Sequence, residues 1–162
     1  MSTPANTALS VVSCQWSSSN TSYAMIGIGN TILNQQAPTN SPSFWFVVIA
    51  RTNLNVVYNA LQTAPDQVPP ISQYNDSNHI LVVATLSIGL NNQPQGALFA
   101  FLDVNGAGAQ LRRIEQLAVQ FNCGSLGTYG YALVGVLGNG NIPGSKRARL
   151  QARSWVRSSP CS

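Results

Sequence analysis

The sequence predicts an α+β fold: a β-sandwich-like or mixed β-sheet core flanked by two or three short helices. Three observations carry that expectation. Phe44-Trp-Phe-Val-Val-Ile-Ala50 is the most hydrophobic run in the chain, too short for a spanning helix and rich in aromatic and β-branched residues. Those features describe a strand buried on both faces. His79-Ile-Leu-Val-Val-Ala-Thr-Leu86 and Tyr129-Gly-Tyr-Ala-Leu-Val-Gly-Val-Leu137 read as two further buried strands. Between them, Pro94–Leu102 and Leu111–Phe121 place their apolar residues at helical spacing.

Taken in chain order, residues 8–16 partly alternate and form a first strand, and the polar run 17–22 is a turn. Tyr23–Gly29 is a second strand, with glycines where another backbone can approach closely. Asn34–Ser43, with Pro38 and Pro42, is expected as a loop. After the central strand, Arg51–Asn55 turns the chain and Val56–Tyr58 pairs back as a short hairpin strand. Thr63–Asn78 holds Pro65, Pro69 and Pro70 and is expected as irregular backbone. Pro94 suits a first helical turn, where a missing N–H costs nothing, and Ala97, Leu98, Phe101 and Leu102 then share one face. Asn105-Gly-Ala-Gly108 ends that helix and acts as a hinge; it follows a helix and lacks the third glycine of a dinucleotide-binding turn. Leu111, Ile114, Leu117, Ala118 and Phe121 form the apolar face of the second helix, and Cys123-Gly124 is its expected stop.

Length and composition bound the rest. Residues 1–162 are read as one domain, long enough for a sizeable core. Hydrophobic residues make up 44% of the chain and charged residues only 7%, far below the usual quarter, with Asn, Gln, Ser and Thr in their place. A neutral surface of amides and hydroxyls suits extracellular settings and glycan partners; it also suits self-assembly, because like-charge repulsion is weak. No run of apolar residues is long enough for a membrane span. The opening ten residues have neither the basic nor the apolar region of a signal peptide, so the chain is expected to be cytosolic, exported by another route, or already processed with an added Met. Cys14, Cys123 and Cys161 have no metal-ligand spacing, and the single His79 cannot complete a zinc set. Chain ends are often close in space, which makes Cys14–Cys161 the preferred bridge in an oxidising compartment. Three reduced thiols are the alternative.

The C-terminal segment carries five of the eight basic residues: Lys146, Arg147, Arg149, Arg153 and Arg157. The segment 146–157 is read as a basic strand. From Arg147 to Arg157 the side chains alternate, so that Ala148, Leu150, Ala152, Ser154 and Val156 point one way. Arg147, Arg149, Gln151, Arg153, Trp155 and Arg157 point the other. Residues two apart in a strand sit roughly 6.6 Å from each other on one face, which would make a ladder of guanidinium groups holding one indole.

From Phe44 to Gly138 the order of elements resembles the ILEI/PANDER-like (interleukin-like EMT inducer) domain. The resemblance is carried by the strand Phe44–Ala50, its return at Val56–Tyr58, the strand Ile80–Thr85, the helix Leu111–Phe121 and the Gly-rich strand Tyr131–Gly138. It implies a compact sheet core with short helices and a secreted signalling protein or a non-catalytic module, which in one glycosyltransferase binds carbohydrate. It also implies a bridge between the N-terminal region and the C-terminal end, in agreement with Cys14–Cys161. No catalytic or ligand-binding residue is carried over from it.

Ordinary enzyme chemistry has little to build on. The only histidine opens an apolar strand, and Asp66, Asp76, Asp103 and Glu115 form no pair with apolar flanks. The sequons at Asn20 and Asn75 are expected to be unused. The expected function is that of a non-catalytic, lectin-like carbohydrate-binding module without cofactor. Its ligand site would be Arg149, Arg153, Trp155 and Arg157, and its partner a glycan or another neutral or anionic polymer. Nucleic acid is the weaker partner, since the net charge is only +4. The alternative is a structural, self-assembling protein, a homo-oligomer with a low-charge subunit surface. A solvated edge strand whose arginines prevent aggregation is the reading without a partner.

Overall fold

The computed structural model describes residues 7–14, 21–38, 40–89, 92–120 and 130–138. Seven strands and two α-helices follow one another there: β1 (Leu9–Cys14), β2 (Thr21–Ile28), β3 (Thr31–Pro38), β4 (Ser43–Ala50), β5 (Val56–Gln62), β6 (His79–Leu86), α1 (Gly96–Val104), α2 (Gly108–Gln120) and β7 (Ala132–Val136). The strands form a three-stranded sheet in the order β1-β2-β3 and a four-stranded sheet in the order β5-β4-β6-β7. Each described pairing is antiparallel. The α+β expectation holds, with antiparallel sheets rather than a mixed one.

The apolar run Ser43–Ala50 becomes β4 because it is the strand with the most to bury. All of its residues but Ala50 are buried. Alternation then divides its side chains between two cores. Phe44, Phe46 and Val48 share one cluster with Leu81, Val83 and Leu133 and with Leu98, Leu102 and Leu111 of the helices. Trp45, Val47 and Ile49 share the other with Val82, Ala84 and Leu86 and with Ala24, Ile26, Ile28 and Ala37 of the three-stranded sheet. Polar ties among the described residues cross from the three-stranded sheet: Ser13 Oγ donates to the Thr85 carbonyl at 2.5 Å, and Ser22 Oγ is hydrogen-bonded to Ser87 Oγ.

Several boundaries differ from the sequence expectation. Residues 34–38 are strand, not loop: β3 runs in continuous antiparallel register with β2, from Thr31 opposite Ile28 to Pro38 opposite Thr21. Only two residues, Gly29 and Asn30, connect them, and Gly29 has φ +58. A positive φ at the first central residue alone is the mark of the II′ hairpin turn, whose twist matches that of the strands it joins. The sequence Thr31-Ile-Leu-Asn-Gln-Gln-Ala-Pro38 has weak strand character of its own, so pairing with β2 makes it a strand.

The hairpin strand β5 extends to Gln62, beyond the expected Tyr58. Pro94 lies before the helix rather than in its first turn. Gln95 is the N-cap, held extended (φ −129, ψ 165) while its N–H donates to the Pro65 carbonyl at 2.7 Å. The end of α1 is as the glycines suggest. Asn105 caps it, donating from Nδ2 to the Phe101 carbonyl at 2.8 Å, and Gly106 follows with φ +92. The last strand is shorter than expected and half-buried, because β7 has β6 on one side and no described strand on the other. Leu133 alone within it is fully buried. The proposed stop at Cys123-Gly124 lies outside the described residues.

Candidate functional site

Two regions of the described structure gather polar or exposed chemistry. The first lies where β6 begins. The chain Asn75-Asp-Ser-Asn78 makes a turn in which Asp76 Oδ1 accepts the Asn78 backbone N–H at 2.8 Å, the local bond that Asp forms two residues on. The same oxygen lies 2.8 Å from Nδ1 of His79. These contacts, the Asn78 amide first and the His79 ring second, hold the Asp76 carboxyl below its ordinary pKa. The His79 ring is also 5.1 Å from the Tyr74 ring, and Tyr74 donates its hydroxyl to the Val57 carbonyl at 3.0 Å. Arg51 closes the other side: its guanidinium donates to the Ser77 carbonyl at 2.6 Å and its backbone N–H to the Asn78 carbonyl at 2.8 Å. The arrangement ties the loop to β5, to the β4–β5 turn and to the start of β6.

The second region is the three-stranded sheet. Residues 1–50 contain no Asp, Glu, Lys, Arg or His; Arg51 is the first charged residue of the chain. All of β1, β2 and β3 lie in that stretch. One face, with Leu9, Val11, Ala24, Ile26, Ile28, Leu33 and Ala37, packs into the shared core. The register sets the opposite face in cross-strand rows: Ser10–Gly27–Ile32, Val12–Met25–Asn34 and Tyr23–Gln36. On that face Val12 is 44% exposed, Met25 37% and Ile32 64%. It is therefore apolar at its centre, fringed by amides and hydroxyls, and without charge. Composition of this kind, with Met and aromatic residues and no ionic groups, is that of interface cores rather than of ordinary solvated surface.

The residues expected to bind ligand, Arg149, Arg153, Trp155 and Arg157, lie outside the described residues, as does Cys161. Cys14 ends β1, and the position of its side chain is likewise outside them. Trp45 is core: it is 1% exposed and its Nε1 donates to Asn59 Oδ1 at 2.7 Å. Tyr58 packs against the helix-side core, and burial pushes its hydroxyl pKa up. Of the loop expected at 34–43, residues 34–38 belong to β3. Among the described residues no group of three or more His, Cys, Asp or Glu side chains could hold a metal ion. No described helix is long and apolar enough to cross a membrane.

The uncharged sheet was readable in the sequence as a 50-residue stretch without an ionic side chain. Its outward face was not, because that needs the register. The Asp76–His79 contact had one signal, an Asp placed to bond the chain two residues on. No protein-family model, curated protein or solved structure matches this chain.

Proposed function

We propose that this chain is a non-catalytic interaction module, built as a sandwich of two antiparallel sheets in the manner of ILEI/PANDER-like domains. Its contact surface is the uncharged three-stranded sheet, and its partner is another copy of itself. One observation carries this reading: the outward face of β1–β3 exposes Val12, Met25 and Ile32 beside Asn34 and Gln36, with no charged residue on any of the three strands. Two copies can bring such faces or edges together without opposing like charges and without desolvating an ion. The polar groups around Asp76 and His79 tie the loop that leads into β6, and the Asp103–Arg112 pair joins the two helices. Solution mass by light scattering across a concentration series, with reductant present, tests it. Growth in mass with concentration is the expected result, and a monomer throughout would overturn it.

A carbohydrate-binding role is the second reading. It is favoured by the cross-strand pairing of Tyr23 with Gln36, which sets a ring beside an amide on the neutral face. Its test is a glycan array with the wild-type chain and Tyr23→Ala. Salt-insensitive binding lost in the variant would support it.

A further inference from the structure

We infer that the outer edge of β3 is the self-association site, and that two copies pair there antiparallel about a two-fold axis at Asn34. This rests on the self-assembly reading above and deepens it.

The hairpin geometry decides which backbone groups are available. In a two-residue hairpin the residues flanking the turn form a hydrogen-bonded pair, and the pairs then alternate along the ladder. Ile28 and Thr31 flank the Gly29-Asn30 turn. Thr31, Leu33, Gln35 and Ala37 therefore direct their N–H and C=O groups toward β2. Ile32, Asn34 and Gln36 direct theirs outward. Among the described residues no strand pairs with that edge, and none of the hydrogen bonds outside the ladders uses those three residues.

Exposed edges are ordinarily blocked by lysine, by an inner proline, by a bulge or by a covering contact. The β5 edge of the other sheet shows two of these devices. The β4–β5 register slips between Val48 and Ile49, and the Tyr74 hydroxyl occupies the Val57 carbonyl. Among the described residues strand β3 shows none of them within its length: its register with β2 is unbroken, it has no charged residue, and its proline stands at the last position. The whole surrounding stretch, residues 1–50, is uncharged. That neutrality identifies a second copy as the occupant, because nothing in it selects a basic or an acidic partner and nothing in it repels itself.

A two-fold axis at Asn34 uses all three outward residues. Ile32 then faces Gln36 of the partner subunit, Asn34 faces the partner's Asn34, and Gln36 faces the partner's Ile32. Three hydrogen-bonded pairs exchange about six backbone hydrogen bonds. The two three-stranded sheets become one continuous sheet, with Ile32 beside Gln36 of the partner subunit and Asn34 beside the partner's Asn34 on its outward face. A single strand pair lies at the small end of interface sizes, so the dimer should dissociate on dilution.

The test uses the full chain under reductant, with mass measured by light scattering over a dilution series. Asn34→Pro removes an outward N–H and leaves the β2 ladder intact, as proline does on an edge strand. Asn34→Lys sets two ammonium groups opposite each other across the axis. Both variants are expected to weaken dimerisation by roughly tenfold or more, about the net worth of two backbone hydrogen bonds. Their circular dichroism should match the wild type. Asn34→Cys should form a disulfide-linked dimer on mild oxidation, mapped by peptide mass to position 34, since hydrogen-bonded antiparallel pairs stand about 5.5 Å apart between Cα atoms. Thr31→Cys should not cross-link to itself. A wild-type dimer that persists in Asn34→Lys, with no cross-link in Asn34→Cys, would overturn the β3 edge and leave self-association standing. A wild-type monomer at every concentration would overturn both.

Discussion

Gly138 and Asp76 are backbone neighbours across the end of the four-stranded sheet. A Cβ at Gly138 would fall 2.8 Å from the Asp76 Cα and 3.0 Å from its carbonyl carbon. Gly138 also has φ +67. Just before it, the Leu137 N–H donates to the His79 carbonyl at 2.9 Å, so the end of β7 is clamped to the loop that leads into β6. Absence of a side chain at position 138 is what lets the two segments close.

Gly138→Ala should therefore destabilise the fold by about 2–4 kcal/mol, the left-handed conformation and the backbone collision acting together. Gly106→Ala is the comparison. It has φ +92 but nothing within 4 Å of the added carbon, so only the conformational cost of about 1–2 kcal/mol remains. Urea denaturation of the two variants should rank them in that order.

The Asp76 carboxyl is held below its ordinary pKa by the Asn78 amide and the His79 ring. A carboxylate whose folded pKa is depressed contributes stability that is present above its unfolded pKa. That contribution is lost as pH falls through the lower, folded value. The wild type should thus exceed Asp76→Asn in thermal stability at neutral pH, and the gap should close at acid pH. A gap that does not change with pH would show that the carboxylate charge plays no part in holding the loop.

Tyr58 behaves in the opposite sense. Burial raises its folded pKa, so the unfolded chain ionises first as pH rises. Stability is fully present below the ordinary tyrosine range and is lost as pH climbs through the folded value. Tyr58→Phe should remove that alkaline loss, visible as a smaller fall in melting temperature on the basic side.

Trp45 Nε1 donates to Asn59 Oδ1 across the β4–β5 pair, and the indole is buried. Asn59→Leu would leave that N–H without its acceptor, at a cost of about 1–3 kcal/mol. Asn59→Asp keeps an acceptor in place and should cost less. Chemical denaturation monitored by tryptophan fluorescence would separate the two.

Strands β4 and β6 and the helix α2 were legible from local composition. Their apolar residues are continuous, or spaced by 3.6, over lengths that admit one element type. The sequence by itself also determined that an entire sheet would be free of ionic groups, since residues 1–50 contain none. What only the tertiary structure decided is which side of each strand faces which neighbour. Asn34 and Gln36 look like loop residues in a polar, proline-bearing stretch, and Ile32 stands just before it. They become an exposed edge because the Gly29-Asn30 turn pairs them with β2. In the same way Trp45 and Phe46 are adjacent, equally apolar and equally buried, yet one packs against the three-stranded sheet and the other against the helices. Local preference sets the conformation of a strand with much to bury; for a polar edge strand, conformation and exposed face both come from its long-range partner.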